Sequence, residues 1–200
     1  MNTLSCYKTL EARGTSRKEF RNSIFIGYAE PVGDEAEARA FIKRIKEEHS
    51  DATHNVSAYL IKDSGELATR YDDDGEPTGS SGKPVFRVLE LKGLSRLAVV
   101  VTRYFGGIKL GFGGLSRAYR ETAIEAIENA GIVEVHETVR LTIRCDYPDA
   151  QAVRRLVMEY GSICTEDYSD AVEFVVELRV GVDEEFVCAI QGVTGGRVKV

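Results

Sequence analysis

The stretch from Leu97 to Gly131 most constrains the fold. LAVVVT at 97–102 is a short continuous apolar run, which predicts a central strand buried on both faces. Five glycines follow in nine positions: Gly106, Gly107, Gly111, Gly113 and Gly114. Leu115, Ala118, Tyr119, Ala123, Ala126 and Ile127 then recur at helical spacing, and Gly131 stands where a helix would stop. A buried strand, a glycine-rich loop and a long amphipathic helix must therefore lie in series. Glycine costs conformational entropy, so the loop must gain something from it. Either exposed amides beside a helix N-terminus hold an anion, or the backbone needs positive φ and close packing.

The preceding sequence reads as further α+β structure. Ser5–Ala29 predicts two strands joined by a polar turn at Thr15–Arg17. Asp34, with Glu37 three residues on, opens a helix whose apolar face is Ala38, Phe41, Ile42 and Ile45. Val56, Ala58 and Leu60 alternate as in a half-buried strand that ends at Asp63-Ser64-Gly65. The polar run TRYDDDGEPTGSSG at 69–82 reads as a turn, with Pro84 at a helix start.

A second pattern begins after a boundary near 133–136. Val139, Leu141, Ile143 and Cys145 alternate with polar residues; Ala152, Val153, Leu156, Val157 and Tyr160 form a helical stripe. Strands are expected over 163–168 and 172–180, a short helix capped by Asp183, and a closing strand RVKV. The order βαββαβ is that of a ferredoxin-like module. Two domains, 1–134 and 137–200, are expected.

The bulk properties exclude several classes. No apolar run reaches signal-peptide or membrane-span length, so a cytoplasmic chain without membrane contact is expected. Cys6, Cys145, Cys164 and Cys188 form no CxxC pair, and His49, His54 and His136 give no zinc spacing; buried free thiols and no metal or other cofactor are expected. The net charge of −6 opposes strong non-specific nucleic-acid binding. That charge is uneven, with −1 over residues 1–136 and −5 over 137–200.

Two segments are candidate sites. From Ser95 to Arg120 stand five basic residues (Arg96, Arg103, Lys109, Arg117, Arg120) and no acidic one. Arg103, Lys109, Arg117 and Arg120, with Tyr104, Phe105, Phe112 and the glycines, compose a candidate nucleic-acid or anion site, although neither GxGxxG nor a P-loop matches. In the second, Asp73, Asp74 and Glu76 suit a solvated turn first and Mg²⁺ second. Ser80 and Ser81 with His54 lack a third member for a triad.

HNVSAY at 54–59, DDGEPTGSSGKPV at 73–85 and VVVTRYFGGIKLGFGGLSRAY at 99–119 closely resemble the signature of the IMPACT/YigZ family. CDY at 145–147 and the closing VTGGRV resemble its bacterial and archaeal second domain. Ser80-Ser81 stands where the family usually has Thr-Ala, and Phe112 often replaces Thr. The resemblance implies a first domain like the second domain of ribosomal protein S5 and a second like the ferredoxin-like end domains of elongation factor G. Eukaryotic members regulate translation through an additional N-terminal domain not expected here, so that interaction is not carried over.

The leading reading is a non-enzymatic module that contacts RNA, the ribosome or a translation factor, with Arg103, Lys109, Arg117 and Arg120 on phosphates and Phe105 or Phe112 stacking. The alternatives are a Mg²⁺-dependent enzyme acting on a phosphorylated small molecule or nucleotide, and a protein-interaction module. A cleft shared by the two segments would favour the enzyme; an open face would favour binding.

Overall fold

The computed structural model describes residues 6–63 and 66–198. The chain divides into two compact units, Met1–Val135 and His136–Val200.

The first unit runs β1 (Cys6–Leu10), β2 (Gly14–Phe20), β3 (Ser23–Pro31), α1 (Glu35–Glu48), β4 (His54–Asp63), β5 (Glu66–Asp72), α2 (Gly82–Leu91), β6 (Leu97–Tyr104) and α3 (Gly111–Ala130). A short strand β7 (Ile132–His136) pairs with β1. The five-stranded antiparallel sheet has the order β2-β3-β6-β4-β5, so LAVVVT lies in its central strand. Leu97, Val99 and Val101 pack with residues of α2 and α3, among them Leu89, Leu115 and Tyr119. Ala98 and Val100 pack on the other face with Ala38, Phe41 and Ile45 of α1. Helices on both faces explain why this strand is apolar without alternation.

α1 starts as its sequence predicts. Asp34 accepts from the Glu37 amide at 2.8 Å, and the Glu37 carboxylate accepts from the Gly33 amide at 2.7 Å. The N-terminal segment differs from expectation. It holds three strands among the described residues, and Thr15–Arg17 sit inside β2, paired with Tyr28, Gly27 and Ile26. The turn is at Arg21–Asn22, both with positive φ (45° and 66°), as a two-residue hairpin turn requires. An edge strand that alternates polar residues toward solvent has the composition of a turn, which is why Thr15–Arg17 differ from expectation. Likewise Thr69–Asp72, expected in the polar turn, complete β5.

The second unit contains β8 (Thr138–Cys145), α4 (Tyr147–Tyr160), β9 (Gly161–Tyr168), β10 (Val172–Arg179) and α5 (Asp183–Thr194). β10 lies antiparallel between β8 and β9, so the strands joined through α4 run parallel. Ile143, Phe174, Val176 and Leu178 face a core completed by Val153, Val157, Phe186 and Ile190. Arg197 and Val198 are not in a strand, in contrast to the expected closing RVKV; Lys199 and Val200 lie outside the described residues. Arg197 instead donates two hydrogen bonds to Asp149, at 2.9 and 2.7 Å. Asp183 is the first residue of α5 rather than its cap, and accepts from the Gly181 amide.

All four cysteines are free, but only Cys145 is buried; Cys164 and Cys188 are exposed. Cys164 lies on β9, an edge strand with little burial, where apolar neighbours in sequence do not imply a covered face. Among the described residues no helix is long and apolar enough to cross a membrane.

Candidate anion-binding cleft

β6 delivers Arg103 to the end of the central strand, and the chain then crosses residues 105–110 to the start of α3. The acidic turn after β5 rises beside this crossing. Together they form one cleft of about 380 Å³, whose walls include His54, Glu76, Arg103, Phe105, Lys109 and Phe112. The two segments singled out in the sequence therefore meet in one cleft, the arrangement expected of the enzyme reading rather than of an open binding face.

At its base lies a buried polar cluster. Arg103 is 5% exposed and Glu76 8%. The Arg103 Nη1 donates to Glu76 Oε1 at 2.7 Å, and the Tyr119 hydroxyl donates to the same oxygen at 2.7 Å. Burial, then the Glu76 charge, push the Tyr119 phenol far above its ordinary pKa, so it remains a donor. The guanidinium also lies 5.4 Å from the Phe25 ring centre and 5.2 Å from that of Phe105. Its Nε is buried without a hydrogen-bond partner among the described residues. His54 Nδ1 is 2.7 Å from the Asp74 carbonyl, which can only accept, so Nδ1 carries the proton. Nε2 then faces Glu76 Oε2 at 3.9 Å.

The other acidic and hydroxyl groups of the turn have structural partners. Asp73 accepts from the amides of Gly79, Ser81 and Gly82 and from the Ser81 hydroxyl, which ties the turn to the start of α2. Asp74 binds Lys46 at 2.5 Å with one oxygen and the Asn55 amide at 2.7 Å with the other. Ser80 and Ser81 are both buried, and neither lines the cleft that His54 lines. The Ser80 hydroxyl has no partner among the described residues, while its carbonyl accepts from Ser116.

The N-terminus of α3 opens into the cleft through Leu110, Gly111 and Phe112. No side chain caps it and its first turn has no acidic residue, so its free amides and dipole present positive charge. Lys109 is exposed beside it, and Phe105 and Phe112 flank it at 45% and 58% exposure. Among the described residues the Lys109 ammonium has no carboxylate partner. Arg117 is bound to Glu121 at 2.7 Å, whereas Arg120 has no partner among the described residues. Tyr104 does not line the cleft. Its hydroxyl donates to Asp51 at 3.1 Å and accepts from His49 Nδ1 at 2.9 Å. Tyr28 donates to His49 Nε2 at 2.6 Å, completing a relay the sequence did not suggest. Thr53, Pro77, Leu110 and Leu115 also line the cleft; none carries a sequence signal of its own.

The five glycines divide by cause. A Cβ at Gly106 would lie 2.0 Å from the Asn22 carbonyl oxygen, and Gly107 and Gly111 have positive φ. A Cβ at Gly114 would be tight against Leu110, at 3.1 Å. Gly113 alone of the five has neither a neighbour within 4 Å nor a positive φ. It sits in the first turn of α3, which begins four residues before the apolar stripe does. Gly113→Ala is therefore expected to raise stability by about 0.5–1 kcal/mol, whereas Gly106→Ala lowers it. Urea midpoints of the two variants would check this; a destabilised Gly113→Ala would show a backbone constraint at that position.

Residues 21–127 match the model of the Impact N-terminal domain, and residues 143–197 match the Domain of unknown function (DUF1949). The IMPACT family member YvyE of Bacillus subtilis is 38% identical over 172 residues, covering 86% of this chain and 79% of its own. A solved structure described as a hypothetical protein superposes with a TM-score of 0.67 at 28% identity, covering 98% of this chain and 96% of that one. The structure of the two-domain translational regulator Yih1 aligns at 29% identity over 66% of this chain and 49% of its own, with a TM-score of 0.38. With the first model matched across the strand, turn and helix that build the cleft, the chain belongs to the IMPACT family.

Proposed function

We propose that this protein is a non-enzymatic, cytoplasmic RNA- or ribosome-associated module whose cleft holds a nucleic-acid phosphate with its base. One observation carries the reading: the uncapped start of α3, the unpaired Lys109 and two exposed phenylalanines share one concavity. Helix amides and a lysine suit a phosphate, and the exposed rings suit an unstacked base. The volume is in the range of small-ligand sites, roughly 300–1,000 Å³, which favours a single nucleotide over a duplex surface. The family's tie to translation makes RNA the first candidate. In fold terms, we take the helix-covered sheet as the ribosomal-protein-S5 second-domain type and the β8-β10-β9 arrangement as ferredoxin-like, two architectures shared with translation components.

Fluorescence anisotropy with labelled single-stranded RNA at several salt concentrations tests this. Lys109→Ala should weaken binding to all sequences alike and make the salt slope shallower by about 0.7, the value for one lost single-strand phosphate contact. Phe112→Ala should cost about 1–3 kcal/mol of stacking. Arg140→Ala, on β8 of the second unit, should change little. Equal affinity of wild type and Lys109→Ala would remove the cleft as an RNA site.

A second reading is favoured by the concavity itself, and by His54 and Glu76 lining it together: an enzyme acting on a phosphorylated small molecule. The carboxylates that would hold Mg²⁺ already accept from protein donors at Asp73, Asp74 and Glu76, so the metal part of that reading fits less well. Phosphate release from a mononucleotide, abolished by His54→Ala, would move the assignment to the enzyme.

A further inference from the structure

α3 carries a second concavity immediately beyond its first turn. Gly113, Ser116, Arg117 and Arg120 are spaced i, i+3, i+4, i+7 and share one stripe of the helix. With Arg87 and Leu91 of α2 they line a groove of about 330 Å³. The cleft takes Gly111, Phe112 and Leu115 of α3 and the groove takes Gly113, Ser116, Arg117 and Arg120, so the two lie on different faces of the helix and share its uncapped first turn.

Charge differs along the groove. Arg87 is held by Glu90 at 3.0 Å and Arg117 by Glu121 at 2.7 Å. Arg120, exposed and unpaired among the described residues, is the groove's uncompensated cation. Leu91 adds an apolar wall at 73% exposure. Gly113, at the join, keeps the backbone uncovered although no packing requires a glycine there. At the cleft end Arg103 is 5% exposed and held by Glu76 and Ser23, so the cations left for a ligand are Lys109 in the cleft and Arg120 in the groove.

Resting on the cleft reading above, we infer that the site is longer than the cleft and takes an extended single strand of RNA that crosses the first turn of α3. One base enters between Phe105 and Phe112, its phosphate meets Lys109 and the helix amides, and a later phosphate meets Arg120. From residue 111 to residue 120 α3 rises about 14 Å, a span of a few nucleotides of extended strand. A single strand fits because a base can enter the cleft only when unstacked, and aromatic rings stack on any base alike. The binding is therefore expected to be tolerant of sequence.

The test is anisotropy of the full chain with labelled oligouridylates of one to eight nucleotides at low salt. Affinity is expected to rise steeply over the first few nucleotides and only slowly beyond the pentamer. Arg120→Gln should weaken the pentamer about fivefold to tenfold, make its salt slope shallower by about 0.7, and leave uridine monophosphate unchanged. Lys109→Ala should weaken both ligands. Gly113→Ala, which has room for its methyl group, should weaken the pentamer while unfolding at the same urea concentration or higher. Full affinity already with the mononucleotide, or a pentamer insensitive to Arg120→Gln, overturns the extended path and leaves the cleft reading standing. Failure of the wild type to bind RNA of any length overturns both.

Discussion

Replacing Glu76 with alanine is expected to destabilise the first unit by about 3–5 kcal/mol, the usual cost of removing one partner from a buried ion pair. Three features of the structure set that size. The Glu76 side chain is 3% exposed and the Arg103 side chain 6%, so the stranded guanidinium has little access to water. Tyr119, buried at 0% exposure, loses its acceptor at the same time. Finally, the guanidinium is enclosed by Phe25 and Phe105 and cannot swing out without uncovering them. Glu76→Gln should cost less, since an amide oxygen can still accept from both donors. The double variant Glu76→Leu with Arg103→Met should recover most of the loss, because paired removal leaves no uncompensated charge. The chain has no tryptophan, so urea unfolding followed by circular dichroism is the appropriate measurement. A loss below about 1 kcal/mol for Glu76→Ala, the value typical of exposed pairs, would show that water reaches this cluster.

Asp73→Ala is the second large effect. Its carboxylate takes four hydrogen bonds, three from backbone amides around the start of α2. A helix cap is worth about 0.5–2 kcal/mol, and hydrogen bonds to a charged group about 1.5–3; a loss of about 3 kcal/mol is expected. Acid should act in the same direction. Burial works to raise the Asp73 pKa, but the Ser81 hydroxyl and the amides of Gly79, Gly82 and Ser81 together outweigh it and hold the carboxyl below its ordinary value. A pKa lower in the folded state means that the stabilisation is present above the unfolded value, near 3.9. It is lost as pH falls through the lower folded value. The difference in stability between wild type and Asp73→Ala should therefore be constant above about pH 5 and shrink progressively as pH falls below the unfolded value toward the lower folded one. A difference that does not shrink between about pH 5 and pH 2 would assign the effect to lost packing instead.

The sequence alone determined the elements whose cause is local. The apolar run at 97–102 marked a central strand, and Asp34 with Glu37 marked the start of α1. The pattern Val139–Cys145 defined β8, and Gly131 the end of α3. Periodicity and caps act between residues a few positions apart, so they can be read in order along the chain. β2 escaped because an exposed edge strand and a turn draw on the same polar residues. The site followed the same division. Lys109, Phe105, Phe112 and the glycines were legible because glycines between a buried strand and a helix need a reason. Their charge was not. From Ser95 to Arg120 the sequence shows five bases and no acid, yet Glu76 neutralises Arg103 from 27 positions away and Glu121 holds Arg117. The glycines, too, looked equivalent, and only the Asn22 backbone brought against Gly106 by the β2–β3 turn separates it from the open Gly113. Which cations remain free, and which glycines are needed for packing, depends on groups brought together by sheet order. Sheet order is set by long-range burial, which local pattern does not encode.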